Sequence, residues 1–182
     1  MRYKVFSIPF QSFLRVASAG ITLWACSAAI LPAAAETLGQ PQGQVLLTVT
    51  GHISNTNAEN AAQFDLEMLE ALPVTKFSTT TVWTDGVQNF EGVSLADLRE
   101  ALALEGENLH ATAVNDYGID IPATDITKDG PIVAYRMNGK TMSLRDKGPL
   151  WIVYPYDSDA RFRSEVIYSR SIWQLDRIEA QD

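Results

Sequence analysis

The residues with the most evident capacity for chemistry fall in one stretch, from Ala134 to Pro155. Arg136 closes one apolar run there, and Lys140, Arg145 and Lys147 follow in a polar loop with Gly139 and Gly148 before the second apolar run. Strands on either side fix the ends of such a loop and leave its cations free to meet an anion. Arg161, Arg163 and Arg170 follow closely, and two arrangements are open to them. Either they join Arg145 and Lys147 in one anion pocket, or Arg161 and Arg163 alternate along a strand as a solvent-facing side that balances Asp157 and Asp159. Trp83, Tyr117 and Trp151 offer faces on which a flat heterocycle can stack, unless they are spent as core.

Other reaction classes lack their parts. His52 and His110 stand at the ends of different expected strands with no carboxylate at metal-ligand spacing, which suits surface or capping roles. Asp157-Ser158-Asp159 opens like a calcium loop, but Phe162 stands where the glycine belongs and Tyr168 where the bidentate glutamate belongs, so the reading is a solvated loop. No serine lies in a nucleophile elbow and no phosphate-binding glycine loop occurs. No catalytic residue and no metal ligand is assigned.

The start of the chain reads as an export signal. Arg2, Lys4 and Arg15 precede an apolar run from Val16 to Ile30, and Ala33-Ala34-Ala35 supplies a cleavage site after Ala35. The run is shorter than the roughly 20 residues a spanning helix needs. A lipid-modification box at Leu23-Trp24-Ala25-Cys26 is opposed by the bulk of Trp24. With no paired arginines, export as an unfolded chain to the periplasm or beyond is expected, a route that carries no preloaded cofactor. Cys26 is the only cysteine, so the segment from Glu36 onward contains no thiol and must rely on its core.

Charge narrows the partners. The whole chain holds 14 Lys/Arg and 22 Asp/Glu, and losing residues 1–35 removes three bases and no acid. Such a surface is repelled by phosphate backbones, which excludes nucleic acid. From Glu36 to Thr127 two bases, Lys76 and Arg99, face 14 acids, whereas Lys128–Asp182 holds nine bases and eight acids. The positive charge is therefore gathered around the stretch that holds the candidate site.

The elements that must position these residues are legible as many short strands with two early helices. Residues 36–44 read as a flexible lead-in and 45–182 as one domain. Val45–Gly51 is an expected strand, and Asp65 can cap a short helix carrying Leu66, Leu69 and Leu72. Lys76–Trp83 is threonine-rich strand, Thr84-Asp85-Gly86 a turn, and Ser94 with Asp97 a capping pair for a helix striped by Leu95, Leu98 and Leu102. Further strands are expected over Ala111–Val114, Ile119–Pro122, Pro131–Met137, Leu150–Tyr154, Phe162–Tyr168 and Ile172–Ile178. The class is α+β, mainly β.

Several pieces, taken in their order, give a resemblance. They are Gly51; Phe90-Glu91-Gly92-Val93-Ser94-Leu95; Asp116-Tyr117 with Ile121-Pro122; Ala134-Tyr135 with Met137-Asn138-Gly139; Arg145-Asp146 with Gly148-Pro149; and Val153-Tyr154-Pro155. Together they resemble the molybdopterin-binding domain of the sulfite oxidase family. The resemblance implies a fold of mixed sheets with a few short helices and a pterin pocket lined by these loops, with Thr80, Trp83, Asp116, Tyr117, Arg145, Lys147, Trp151, Arg161 and Arg163 as candidate cofactor-contacting residues. Two departures stand out. Where the family places a molybdenum-ligating cysteine this chain has Thr79-Thr80-Thr81, with Thr80 the match, and a hydroxyl is a poor substitute for a soft thiolate. Lys147 and Trp151 stand where the family usually has a histidine and an arginine, and tryptophan cannot supply the two-pronged donor for an anion.

The expectation is thus an exported binding or accessory module with no bound cofactor, taking a small anionic or heterocyclic ligand and serving a membrane-bound sensor or redox partner. The alternative is a molybdopterin-dependent oxidoreductase carrying out oxygen-atom or electron transfer.

Overall fold

The computed structural model describes Met1 and residues 38–182. The expected signal peptide, its cleavage site and Cys26 lie outside the described residues. The chain runs through β1 (Leu47–Gly51), β2 (Ala62–Phe64), α1 (Leu66–Ala71), β3 (Val74–Thr80), β4 (Val87–Ser94), α2 (Leu95–Leu102), β5 (Asn108–Ala113), β6 (Gly118–Pro122), β7 (Ile132–Met137), β8 (Lys140–Thr141), β9 (Leu150–Val153), α3 (Glu165–Ser169) and β10 (Trp173–Gln181). Short 3-10 turns at Ala123–Asp125, Leu144–Asp146 and Ala160–Phe162 complete it. The fold is α+β and mainly β.

All ten strands form one sheet, ordered β2-β1-β10-β9-β7-β4-β3, with β5 and β6 branching from β10 and β8 from β7. The β1–β10 pair is parallel and the others are antiparallel, so the sheet is mixed. Burial follows position. Outer β5 alternates strictly, burying Leu109, Ala111 and Ala113. Central β7 and β9 bury four residues in succession, Ile132–Tyr135 and Leu150–Val153, because both of their faces are covered. Helices α1 and α2 pack against β4. At the β4–β7 seam a register shift falls between Glu91 and Gly92, and a side chain at Gly92 would run into the backbone of Val133 and Ala134. Only glycine permits that approach.

Capping residues act as expected. Ser94 accepts the Asp97 N–H at 2.9 Å and opens α2, and Asp65 accepts the Met68 N–H at 2.9 Å and opens α1. Two strand expectations fail for a common reason. Lys76–Trp83 stops at Thr80, since Thr81 Oγ1 accepts the Trp83 N–H at 3.1 Å and meets Thr84 Oγ1 at 2.8 Å, turning the chain. Phe162–Tyr168 is not a strand at all: Asp159 caps the 3-10 turn and Ser164 caps α3. Arg161 and Arg163 therefore do not alternate along a strand. In each case short polar side chains bind the local backbone and override β propensity.

The stretch before β1 has no regular structure yet is firmly tied. Asp65, 3% exposed, accepts the N–H groups of Gln42 at 2.7 Å and Gly43 at 2.8 Å with one oxygen while the other caps α1. The Gly43 N–H, then that of Met68, hold its carboxyl below the ordinary 3.8. A depressed folded-state value means that the stabilisation is complete above 3.8 and is lost as pH falls through the folded value. Asp65→Asn should accordingly lower the melting temperature at pH 7, with the gap to wild type closing below that range; thermal melts from pH 7 to pH 2 check it.

Candidate functional site

Trp83 stands at the centre of an aromatic cluster. Its ring meets Trp173 at 5.6 Å, Trp151 at 5.8 Å, Tyr168 at 6.0 Å and Tyr156 at 6.3 Å, each edge to face. Beside it opens a cleft of about 470 Å³ lined by Val82, Trp83, Ala113, Asn115, Tyr117, Tyr168, Ser169, Ser171, Ile172, Trp173 and Gln174. That size suits a small organic molecule, and rings on several sides suit a flat one.

The walls come from three places. The turn after β3 brings Val82 and Trp83, the end of β5 and the β5–β6 turn bring Ala113, Asn115 and Tyr117, and the segment from α3 into β10 brings the rest. The register of β10 shifts against β9 across Gln174, whose φ is +55°, and against β5 between Leu175 and Arg177. Its N–H donates to Lys147 O at 3.2 Å, and its carbonyl accepts the Val114 N–H at 2.9 Å. Lys147 (φ +69°) and Asp116 (φ +65°), on the two segments that Gln174 bonds, share the left-handed conformation. Strain of that kind gathers where a side chain has to be aimed.

The expected site residues separate into those the cleft gathers and those it does not. Trp83 and Tyr117 line it, and Tyr117 is 55% exposed at its mouth. Lys147 lies just outside, its ammonium 5.7 Å over the Trp173 ring and 5.8 Å over Trp151. Trp151 is completely buried, its edge on Phe90 and its Nε1 donating to Ser171 O at 3.2 Å, so it supports the cleft from the core. Asp116 pairs with Arg177 at 2.7 Å.

The arginines do not form one pocket. Arg161 bonds Asp129 at 2.8 Å and lies over Phe162, while Arg170 bonds Asp125 at 2.9 Å. Tyr154 donates its hydroxyl to the same Asp125 oxygen at 2.8 Å; burial, then the Asp125 charge, pushes that phenol above its usual range. Arg145 and Arg163 are exposed and have no carboxylate within 4.0 Å among the described residues.

Thr80 faces a carboxylate. Its N–H donates to Asp157 Oδ2 at 2.6 Å and its hydroxyl to Oδ1 at 2.9 Å, while Thr79 Oγ1 accepts the Asp157 N–H at 3.1 Å. The Thr80 N–H, then its hydroxyl, hold the Asp157 carboxyl below the usual carboxylate range. This donor set does not fit a molybdenum centre: the hydroxyl's proton is committed, the neighbouring charge is negative, and no soft ligand is present. Among the described residues no group of three or more His, Cys, Asp or Glu is placed to hold a metal ion.

Tyr168, Trp173 and Gln174 escaped the sequence reading. A plain strand over Ile172–Ile178 would send Trp173 and Gln174 to opposite faces; the bulge that brings both to the cleft leaves no mark in the residue pattern.

Fold and cleft together define a mixed-sheet domain with an aromatic-lined cleft. A family model for the oxidoreductase molybdopterin binding domain matches residues 47–161, more than half the chain, and the chain belongs to that family. The family binds molybdopterin. No curated protein matches the chain closely enough to count as a relative.

Because Arg170 is spent on a part-buried carboxylate and Arg145 is not, the two should respond differently to loss of charge. Arg170→Met should destabilise the fold by about 2 kcal/mol, and Arg145→Met by less than about 0.5 kcal/mol. Denaturant melts of both variants check this.

Proposed function

We propose that this chain is an exported, non-catalytic member of the family, a binding or accessory module that takes a flat heterocyclic ligand in the aromatic cleft. The single observation that carries the reading is Thr80, which stands at the place of the family's metal-ligating cysteine and gives both its N–H and its hydroxyl to Asp157. In place of a thiolate stands a closed pair of hydrogen bonds to a carboxylate, while rings able to hold a flat molecule line the cleft.

Two sequence features support export without a preloaded cofactor: the basic and apolar start ending in Ala33-Ala34-Ala35, and the lack of paired arginines there. A membrane-bound sensor or redox protein in the same compartment is the partner this reading calls for. The residue types of the cleft favour a ring over a purely inorganic anion, since Arg161 and Arg170 are already neutralised. The second reading, a molybdopterin-dependent oxidoreductase, draws its support from the family match itself.

Protein isolated from its native compartment should contain well under one molar equivalent of molybdenum by elemental analysis, and Thr80→Cys should not raise that content while Asp157 remains. Stoichiometric molybdenum together with pterin fluorescence on denaturation would establish the second reading and end the first.

A further inference from the structure

The rings of the cleft do not end at its wall. Trp83 meets Tyr156 directly at 6.3 Å, and again through Tyr168, at 6.0 Å and then 5.5 Å. Tyr156 in turn meets Tyr154 at 6.4 Å. An unbroken file of rings therefore leads from Trp173, which lines the cleft and is 38% exposed, inward to Tyr154, which is completely buried. Every member is an indole or a phenol, the two ring types of proteins that give up a single electron most readily. Phenylalanine would pack as well and bring no polar group into the core, yet it is used at none of these places.

The inner end of the file is where a proton can go. Tyr154 donates its hydroxyl to Asp125 Oδ2 at 2.8 Å, and among the described residues it is the one tyrosine that donates to a carboxylate. Tyr156 gives its hydroxyl to Ser171 Oγ, which is no base, and the buried Tyr135 hydroxyl has no partner. Arg170 donates to the same Asp125 oxygen at 2.9 Å and fixes the carboxylate in place. A phenol that loses an electron becomes a far stronger acid than any carboxylic acid, so its proton moves to Asp125 even with a guanidinium beside it.

We infer that this file is a conduit for single oxidising equivalents, with Tyr154 as its terminus. A one-electron oxidant meeting the rings of the cleft takes one electron from Trp83 or Trp173. An electron from Tyr154 then crosses Tyr156 and restores the indole, while the Tyr154 O–H bond breaks and its proton passes to Asp125 Oδ2. The balance is one electron from Tyr154 to the oxidant and one proton from Tyr154 to Asp125, which leaves a neutral phenoxyl radical beside a neutral carboxylic acid. This goes beyond the ligand-binding reading and does not rest on it, because an oxidant in solution reaches Trp173 whether or not the cleft holds a ligand.

Flash photolysis of the full chain with tris(bipyridine)ruthenium and an irreversible electron acceptor supplies such an oxidant. The wild-type protein should show a tryptophanyl radical that decays as a longer-lived tyrosyl radical appears, the two being separated by absorption and by electron paramagnetic resonance. Tyr154→Phe should lose that tyrosyl signal and leave the tryptophanyl one long-lived. Asp125→Asn keeps an oxygen for the hydroxyl to bond but no base, and should slow tyrosyl formation about a hundredfold, the lower end of what a positioned base contributes. Tyr156→Phe puts a ring that resists oxidation into the path and should slow it several-fold. Melting curves confirm that each variant folds. If the wild-type signal stays on tryptophan, or if Tyr154→Phe gives the same tyrosyl radical as the wild type, Tyr154 is not the terminus and the inference is overturned. Unchanged rates in folded Asp125→Asn and Tyr156→Phe overturn it equally, since neither the base nor the path then matters.

Discussion

Strand β10 has to satisfy three neighbours at once, and most of the architecture follows from how it does so. It pairs with β9 over Trp173–Leu175, with β1 over Arg177–Ala180 and with β5 over Leu175–Gln181. Backbone donors and acceptors inside a sheet must all find partners, so a strand that changes neighbour part-way needs a place to change its register. Gln174 is that place. The bulge costs backbone strain at one residue and in return joins the β5–β6 turn, the Lys147 loop and the end of β9 around a single concavity.

What fills the space behind that concavity is aromatic. Trp151 crosses from Phe90 to Trp173 and Trp83, and its buried N–H is satisfied by Ser171, whose hydroxyl also takes up Tyr156. A bidentate arginine at that position would be a cation needing a counter-charge in a fully buried place; tryptophan needs one acceptor and supplies packing area. The exchange makes structural sense of a departure that looks purely functional in the sequence. Thr80 makes a parallel case at the other side, where a clasp of two hydrogen bonds to Asp157 ties the end of β3 to the turn after Pro155. Within the family frame, both Trp151 and Thr80 are spent on cohesion.

The frame was the legible part. Gly92 had to be glycine for β4 to approach β7, and Ser94 and Asp65 announce the helices they cap, because these roles depend on local chemistry that residue types display directly. The cleft was half legible: Trp83 and Tyr117 could be named as stacking faces, whereas Trp151, equally aromatic, proved to be core. The cations around Pro155 stayed ambiguous because the partners of Arg161 and Arg170, Asp129 and Asp125, are distant in sequence and brought close only by folding. The helical turns over Ala160–Phe162 and Glu165–Ser169 were hidden by β-branched and aromatic residues whose propensity lost to capping by Asp159 and Ser164. Gln174 was invisible, since a bulge is a property of pairing between strands and not of the strand that carries it.

The central proposal is that a flat ligand binds in the aromatic cleft while the Thr80–Asp157 clasp stays closed. Indole N–H resonances of the three tryptophans in residues 38–182, followed by NMR as lumazine is added, test it most directly. The account predicts progressive shifts for Trp83 and Trp173, a smaller shift for buried Trp151, and a Thr80 amide that stays hydrogen-bonded to Asp157. Shifts confined to the Thr80 and Asp157 amides, with Trp83 and Trp173 unmoved, would contradict it.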